Sequence, residues 1–248
     1  MLEIGRDGNV CLLTIDRPHR RNAIGHDLVL KLAAELQGLD ADQNVRAIVI
    51  AGKAPGFCAG SDLKELSSVD LPGMCTHEAE TARLCRSFAF LQKPIIAAVD
   101  GFALGGGLVL AISCDIVVTS PGAKWGLPEV SIGWLPPWGL QALVARTGPA
   151  QARRLTWGEE TFDGREAYRL GLADFLAPEE SSAVDTALKR AQKLALLPPP
   201  AVAATKRFFA PIAAGLAEPM DALANAIFAE NCGHPVARQT LQKYGVKL

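Results

Sequence analysis

The chain of 248 residues lacks an excess of either charge: 25 lysines and arginines stand against 26 aspartates and glutamates. That removes the broad electrostatic attraction on which nucleic-acid binding depends, while leaving room for a local basic patch on an anionic ligand. A membrane-length apolar run is also lacking. The most apolar stretch, residues 95–118, is broken by Asp100, Asp115, Gly101 and the glycines at 105–107, and a bilayer would penalise those charges. The opening residues MLEIGRDGNV lack the basic-then-apolar pattern of a secretory leader. The six cysteines, at 11, 58, 75, 85, 114 and 232, form no C-x-x-C pair and do not cluster with histidines. Neither a disulfide framework nor a metal site is therefore expected, and the thiols read as reduced and buried in a cytoplasmic protein.

Apolar residues make up 49% of the chain, enough for one full-sized core. Val10–Ile15 is β-branched and apolar and ends at Asp16-Arg17-Pro18, which predicts a strand and a turn. Between Asp27 and Leu39, apolar residues at 28, 29, 32, 36 and 39 have helical spacing. Residues 45–50, 94–99 and 115–119 read as further strands, and the polar run 67–80 as a loop leading into a helix that ends near Phe90. Beyond Leu140 the pattern is almost wholly helical, and Pro198-Pro199-Pro200 marks a joint between a β/α part (1–195) and a helical tail (196–248). Strands alternating with helices predict an α/β protein with largely parallel pairing, and a doubly wound sheet fits that pattern.

Three short segments carry candidate chemistry. Gly56-Phe57-Cys58-Ala59-Gly60-Ser61-Asp62-Leu63 follows a predicted strand, at the carboxyl edge where ligands commonly bind, and its small residues allow close backbone approach. An ordinary glycine-rich loop has the same composition. Asp100-Gly101-Phe102-Ala103-Leu104-Gly105-Gly106-Gly107 precedes a helix start, where unpaired N–H groups suit an anion or a developing oxyanion. It has neither the dinucleotide G-x-G-x-x-G spacing nor the Lys-Ser/Thr of a phosphate loop, and close helix packing is the plainer reading. Glu129, in Trp125-Gly126-Leu127-Pro128-Glu129, precedes the apolar run VSIGWL. Desolvation there would raise its pKa and suit it to proton transfer; a surface or capping glutamate is the alternative.

Taken in order, these segments resemble the crotonase (enoyl-CoA hydratase/isomerase) superfamily. The match runs through Ile15-Asp16-Arg17-Pro18 with Asn22-Ala23, the Phe57–Leu63 loop, Lys93-Pro94, the Asp100–Gly107 turn, Cys114-Asp115, Gly126–Glu129 with Gly133, and Gly164–Ala173. It covers about residues 2–215, and the tail matches only in being helical. The resemblance implies a crotonase-like spiral of ββα turns with a C-terminal helical trimerisation region, forming homotrimers or hexamers. It implies a CoA thioester as substrate, no bound cofactor, and backbone amides of Ala59 and Gly106 holding the thioester oxygen. Glu129 would be the catalytic acid/base. Arg21, Ala23, Gly60, Ser61, Asp62, Leu63, Gly105, Pro128 and Trp134 would line the substrate and CoA path, with Arg20, Arg21 and Lys64 as candidates for the CoA phosphates.

One departure bears on the reaction. Hydratases of this family use two glutamates, and the first, three residues past the oxyanion glycine, is Val109 here. The retained second acid resembles the Δ3,Δ2-enoyl-CoA isomerase branch, in which one carboxylate moves a proton from C2 to C4. Trp134 and Trp138 in the 133–138 segment lean the same way or only shape the acyl pocket. Weak hydration, decarboxylation of a malonyl-type CoA and carboxymethylproline-synthase-like condensation are the alternatives; the context of Pro128-Glu129 and the Thr205-Lys206-Arg207 run resemble the synthase branch. A catalytically inert CoA-binding subunit is a further alternative. A compensating acid from Glu65, His77 or Glu78 is conceivable, but in a loop these read as solvated side chains.

Overall fold

The structure, a computed structural model, describes residues 1–245. The chain opens with a hairpin of β1 (Leu2–Asp7) and β2 (Val10–Ile15), followed by α1 (His26–Ala41) and β3 (Ala47–Gly52). Next come the short α2 (Leu63–Leu66), the long α3 (Leu71–Ser87), β4 (Ile95–Val99) and β5 (Phe102–Leu104). Then follow α4 (Gly106–Ile112), β6 (Ile116–Thr119), β7 (Lys124–Gly126), α5 (Leu140–Thr147), α6 (Pro149–Thr156), α7 (Gly164–Arg169) and β8 (Phe175–Leu176). The chain closes with α8 (Ala183–Ala195), α9 (Pro199–Ala214), α10 (Ala217–Cys232) and α11 (Pro235–Lys243). None of the described helices is long and apolar enough to cross a membrane.

The main sheet has six strands in the order β1-β2-β3-β4-β6-β8, parallel throughout except for the β1–β2 hairpin. A doubly wound sheet reverses its strand order at a switch point and binds ligands in the crevice there. Here the order advances one way across the sheet, so no such crevice exists and the doubly wound alternative is excluded. Between β4 and β6, and again between β6 and β8, the chain leaves the sheet to add a strand to a second, smaller layer, in which β5 pairs with β7. Cys58, in the loop after β3, bridges Ala103 in the same layer. Each turn thus supplies one strand to the large sheet, a short segment to the small one, and a helix. This is the spiral of ββα turns that the resemblance implies.

Both faces of the central strands β3 and β4 are buried, which explains their nearly continuous apolar runs, whereas the edge strand β1 is exposed beyond Leu2. Leu13, Ile15, Ile48, Ile50, Ala97 and Val117 face the main core, while Val10, Val49, Ile96 and Val118 face α8. Ala183, Ala187 and Ala191 recur every fourth residue on α8, and their small side chains let the helix lie close to the sheet. The tail does not stand apart from the core. Phe228 and Cys232 of α10 pack with Met74 of α3 and with Trp134. On α9, Lys206 donates to the carbonyls of Phe88 and Lys93, each at 2.9 Å, and to Asp115 Oδ2 at 2.6 Å.

The polar run at 67–80 is not a loop, contrary to the sequence expectation: α3 occupies most of it. Asp70 caps the helix by accepting from Gly73 N–H at 2.9 Å, and Pro72 sits in the first turn, where its missing N–H costs nothing. Its buried positions include 74, 78, 81, 82 and 85, a helical stripe. The stripe was hidden because His77, Glu78 and Thr81 occupy core positions.

Candidate active site

The loop 53–62 is held in place by buried polar contacts. Asn22 donates from Nδ2 to the carbonyls of Lys53 at 2.7 Å and Gly56 at 2.6 Å, and its Oδ1 accepts from Arg17 N–H at 2.9 Å. Arg17 pairs with Asp62 at 2.9 Å, and Asp62 also caps α2 by accepting from Glu65 N–H. Ile24 N–H donates to Gly60 O at 2.8 Å, laying Ala23-Ile24 alongside the loop. The Ile15–Ala23 motif of the sequence is therefore a brace for the Phe57–Leu63 loop.

That loop meets the Gly105–Gly107 turn edge to edge. A Cβ on Gly107 would lie 2.2 Å from Cys58 O, and one on Gly60 would lie 3.1 Å from Gly106 N, so only glycine permits the approach. Gly105 has φ +54° and ψ −129°, a region essentially closed to other residues. Gly106 opens α4, so its N–H has no acceptor within the helix. The Ala59 N–H donates to Arg21 O at 3.2 Å, a long bond that a stronger acceptor in the cavity can share.

Between these segments lies a cavity of about 80 Å³, lined by Ala59, Gly60, Ser61, Leu63, Gly105, Gly106, Pro128, Glu129 and Trp134. At roughly 30 Å³ per water, it admits only a few solvent molecules. Three residues expected on the substrate path lie off this lining. Ala23 is buried beneath the loop, the Asp62 carboxylate is occupied by Arg17, and Arg21 is exposed with its guanidinium 4.7 Å from the centre of the Phe102 ring.

Glu129 begins a short 3-10 turn, Val130–Ile132, that Gly133 ends with φ +112°. Its carboxyl is buried at 8% exposure, and Oε2 has no hydrogen-bond partner. Oε1 lies 2.6 Å from where a Gly105 Cβ would be, so the carboxyl stands directly against the glycine turn. Burial pushes its pKa up to about 7, opposed by a hydrogen bond from its own backbone N–H and assisted by the nearby Glu78 charge.

A second carboxyl lines the cavity, one that the sequence reading names as a candidate compensating acid but takes for a solvated loop residue. Glu78 of α3 lines it and is only 3% exposed, not solvated as a loop residue would be. Trp138 donates from Nε1 to Glu78 Oε2 at 2.7 Å. Burial raises the Glu78 pKa, while the His77 charge and contacts with Ser61 and Trp138 pull the other way. The available signal was the i, i+4 spacing of Met74, Glu78 and Ala82, which puts a glutamate in an apolar stripe. Val109 also lines the cavity, with no polar atom to offer, and its side chain fills the space above Gly139.

The chain matches the family described as Enoyl-CoA hydratase/isomerase over residues 5–243. It is 35% identical over 207 residues to the 2,3-dehydroadipyl-CoA hydratase of Escherichia coli strain K12, covering 83% of this chain and 80% of that one. It is 38% identical over 207 residues to a probable enoyl-CoA hydratase of Rhizobium meliloti strain 1021, covering 83% and 79%. Its fold matches the crystal structure of an enoyl-CoA hydratase/isomerase from Mycobacterium paratuberculosis with a TM-score of 0.86 at 28% identity, covering 98% of this chain and 97% of that one. The family match spans every segment that builds the cavity, and the chain accordingly belongs to the enoyl-CoA hydratase/isomerase family of acyl-CoA enzymes, within the crotonase superfamily.

Proposed function

We propose that the protein shifts the double bond of a 3-enoyl-CoA thioester to the 2-position, with Glu129 as the base at C2. The observation that carries this reading is the Glu129 carboxyl: buried, unpartnered at Oε2, raised to about 7 and set beside the Gly105–Gly106 turn. A base with a pKa near the working pH is well matched to a weakly acidic thioester α-proton. As that proton leaves, charge collects on the thioester oxygen, and the Ala59 and Gly106 amides would stabilise it. One such preorganised donor contributes about 3 kcal/mol. Isomerisation needs no activated water, which fits the apolar Val109 on the lining. The CoA thioester is the substrate, and the scheme calls for no bound cofactor.

Hydration is the second reading. The names of the relatives above favour it, and so does Glu78, because water activation and proton delivery divide naturally between two carboxyl groups. Separate incubations with 3-hexenoyl-CoA and 2-hexenoyl-CoA, followed by the absorbance of the conjugated thioester, discriminate the two. Conjugation gained from the first with little loss from the second is expected. Rapid loss from the second would replace isomerisation by hydration, and silence in both would direct attention to malonyl-type thioesters. Glu129→Gln should lower isomerisation by at least about 100-fold; retained activity would remove Glu129 from the mechanism.

A further inference from the structure

Glu78 has no task in the scheme above, yet it lines the same cavity as Glu129. It sits on the inward stripe of α3 among Met74, Ala82 and Cys85, where an apolar side chain would ordinarily pack. A carboxyl in such a place is costly unless it is used or fully paired. No lysine or arginine pairs with it among the described residues, and its hydrogen bond comes from an uncharged indole. The neighbouring His77 is buried as well, and its Nε2 has no partner. The two carboxyl groups reach the cavity from different elements, Glu78 from a helix packed against α10 and Glu129 from the turn after β7.

We propose that Glu78 is the second proton-carrying residue of this site, delivering to C4 a proton other than the one Glu129 removes from C2. The inference rests on the isomerase reading. The Glu129 carboxylate takes the C2 proton, and the C2–H electron pair becomes the enolate π bond, with negative charge on the thioester oxygen. The electrons then return: C2=C3 forms, and the former C3=C4 π pair bonds to the proton of the Glu78 carboxyl. The substrate has gained and lost one proton, Glu129 is protonated and Glu78 ionised. One proton passing from Glu129 to Glu78, through a water in the emptied cavity, restores the start. No oxidant, reductant or co-reactant is needed. Trp138 steadies the Glu78 carboxyl in both states, since Nε1–H can donate to either form.

A merely structural role makes a different prediction. If Glu78 serves only to accept the Trp138 hydrogen bond, Glu78→Gln supplies an equivalent amide oxygen and changes little. The test compares two reactions in the wild-type protein, Glu78→Gln and Glu129→Gln. Exchange of the α-proton of butyryl-CoA in D2O reads enolisation at C2 alone, and conversion of 3-hexenoyl-CoA reads both transfers. For Glu78→Gln the ratio of isomerisation to exchange should fall by about 100-fold, the size of a lost general acid. For Glu129→Gln both reactions should fail together. If Glu78→Gln leaves the ratio within about threefold of wild type, the assignment of Glu78 is overturned, whether both rates persist or both decline, and Glu129 stands. If Glu129→Gln still exchanges and isomerises, the reading of the site itself falls and takes the inference with it. Exchange that survives in Glu78→Gln also shows that the variant is folded and binds the thioester.

Discussion

Glu129 couples the chemistry of the site to its stability, because the burial that tunes it also has a cost. As a base it must be ionised, so the isomerisation rate at low substrate should rise with pH through its pKa of about 7, and it should fall again where the Glu78 acid ionises. A flat profile between pH 5 and 8 would count against a desolvated carboxylate base. The stability effect has the opposite slope. Relative to an ordinary value of 4.5, the raised folded pKa means that the native state holds the proton more tightly than the unfolded chain. Below the unfolded value both states are protonated and nothing is lost. Stability drains away as pH rises through the folded value, and the full cost is about 3 kcal/mol. Glu129→Gln cannot ionise, so its urea midpoint should exceed that of wild type at pH 8 and coincide with it near pH 4.5. A variant less stable at pH 8 would mean that the carboxylate has a stabilising partner. Glu129 was half legible in the sequence: an acid followed by VSIGWL fits a desolvated site or a surface turn, and the resemblance singled it out as the acid/base. Glu78 was not, because THEAET reads as solvated until Met74 and Ala82 are seen to lie on the same helical face.

The elements are assembled so that backbone, more than side chains, shapes the cavity. Short-range signals carried most of them: the buried strands at β3 and β4, the helical spacing of α1 and the glycine turn ahead of α4 all match the sequence expectation within a few residues. The small layer did not show itself, since β5 and β7 have three residues each, too few for any period, and the same holds for β8, the two-residue edge strand of the large sheet. Gly105 is where backbone geometry and chemistry meet. A methyl group there would have to adopt φ +54° and would reach within 2.6 Å of Glu129 Oε1. Gly105→Ala should therefore displace both the carboxyl and the Gly106 amide. A shift of about 1 Å can cost on the order of 100-fold in rate, so isomerisation should drop by that much while the far-ultraviolet circular dichroism stays native. Unchanged turnover would show that neither group needs its present position.

At the scale of the whole molecule, the tail adds a wall to the cavity that the loop after β3 and the glycine turn before α4 begin. Phe228 of α10 lines the cavity, so residues beyond the expected joint at 198–200 belong to the same body as the spiral. Parallel pairing was legible in the alternation of strands and helices, but the spiral joins distant segments that no local period encodes, and only the resemblance carried by the ordered motifs implied it. The tail also leaves an apolar stripe uncovered. Phe208, Ile212 and Leu216 follow one another at four-residue spacing along and just beyond α9, and each is more than 60% exposed. Leu223 on α10 is 62% exposed as well. Soluble chains seldom expose such contiguous apolar surface without a use for it. Lys206, on the same helix, is turned inward onto Asp115. We propose that this stripe is covered by other copies of the chain in the homotrimer that the family resemblance implies, alone or paired into hexamers. Light scattering coupled to size-exclusion chromatography should then give three or six times the 26.3 kDa chain mass. Phe208→Glu with Ile212→Glu would place two charges from each chain in the contact and should reduce the assembly to monomers. Monomers that keep their circular dichroism would separate assembly from folding. A wild-type chain that elutes as a monomer would leave the stripe without the occupant proposed for it.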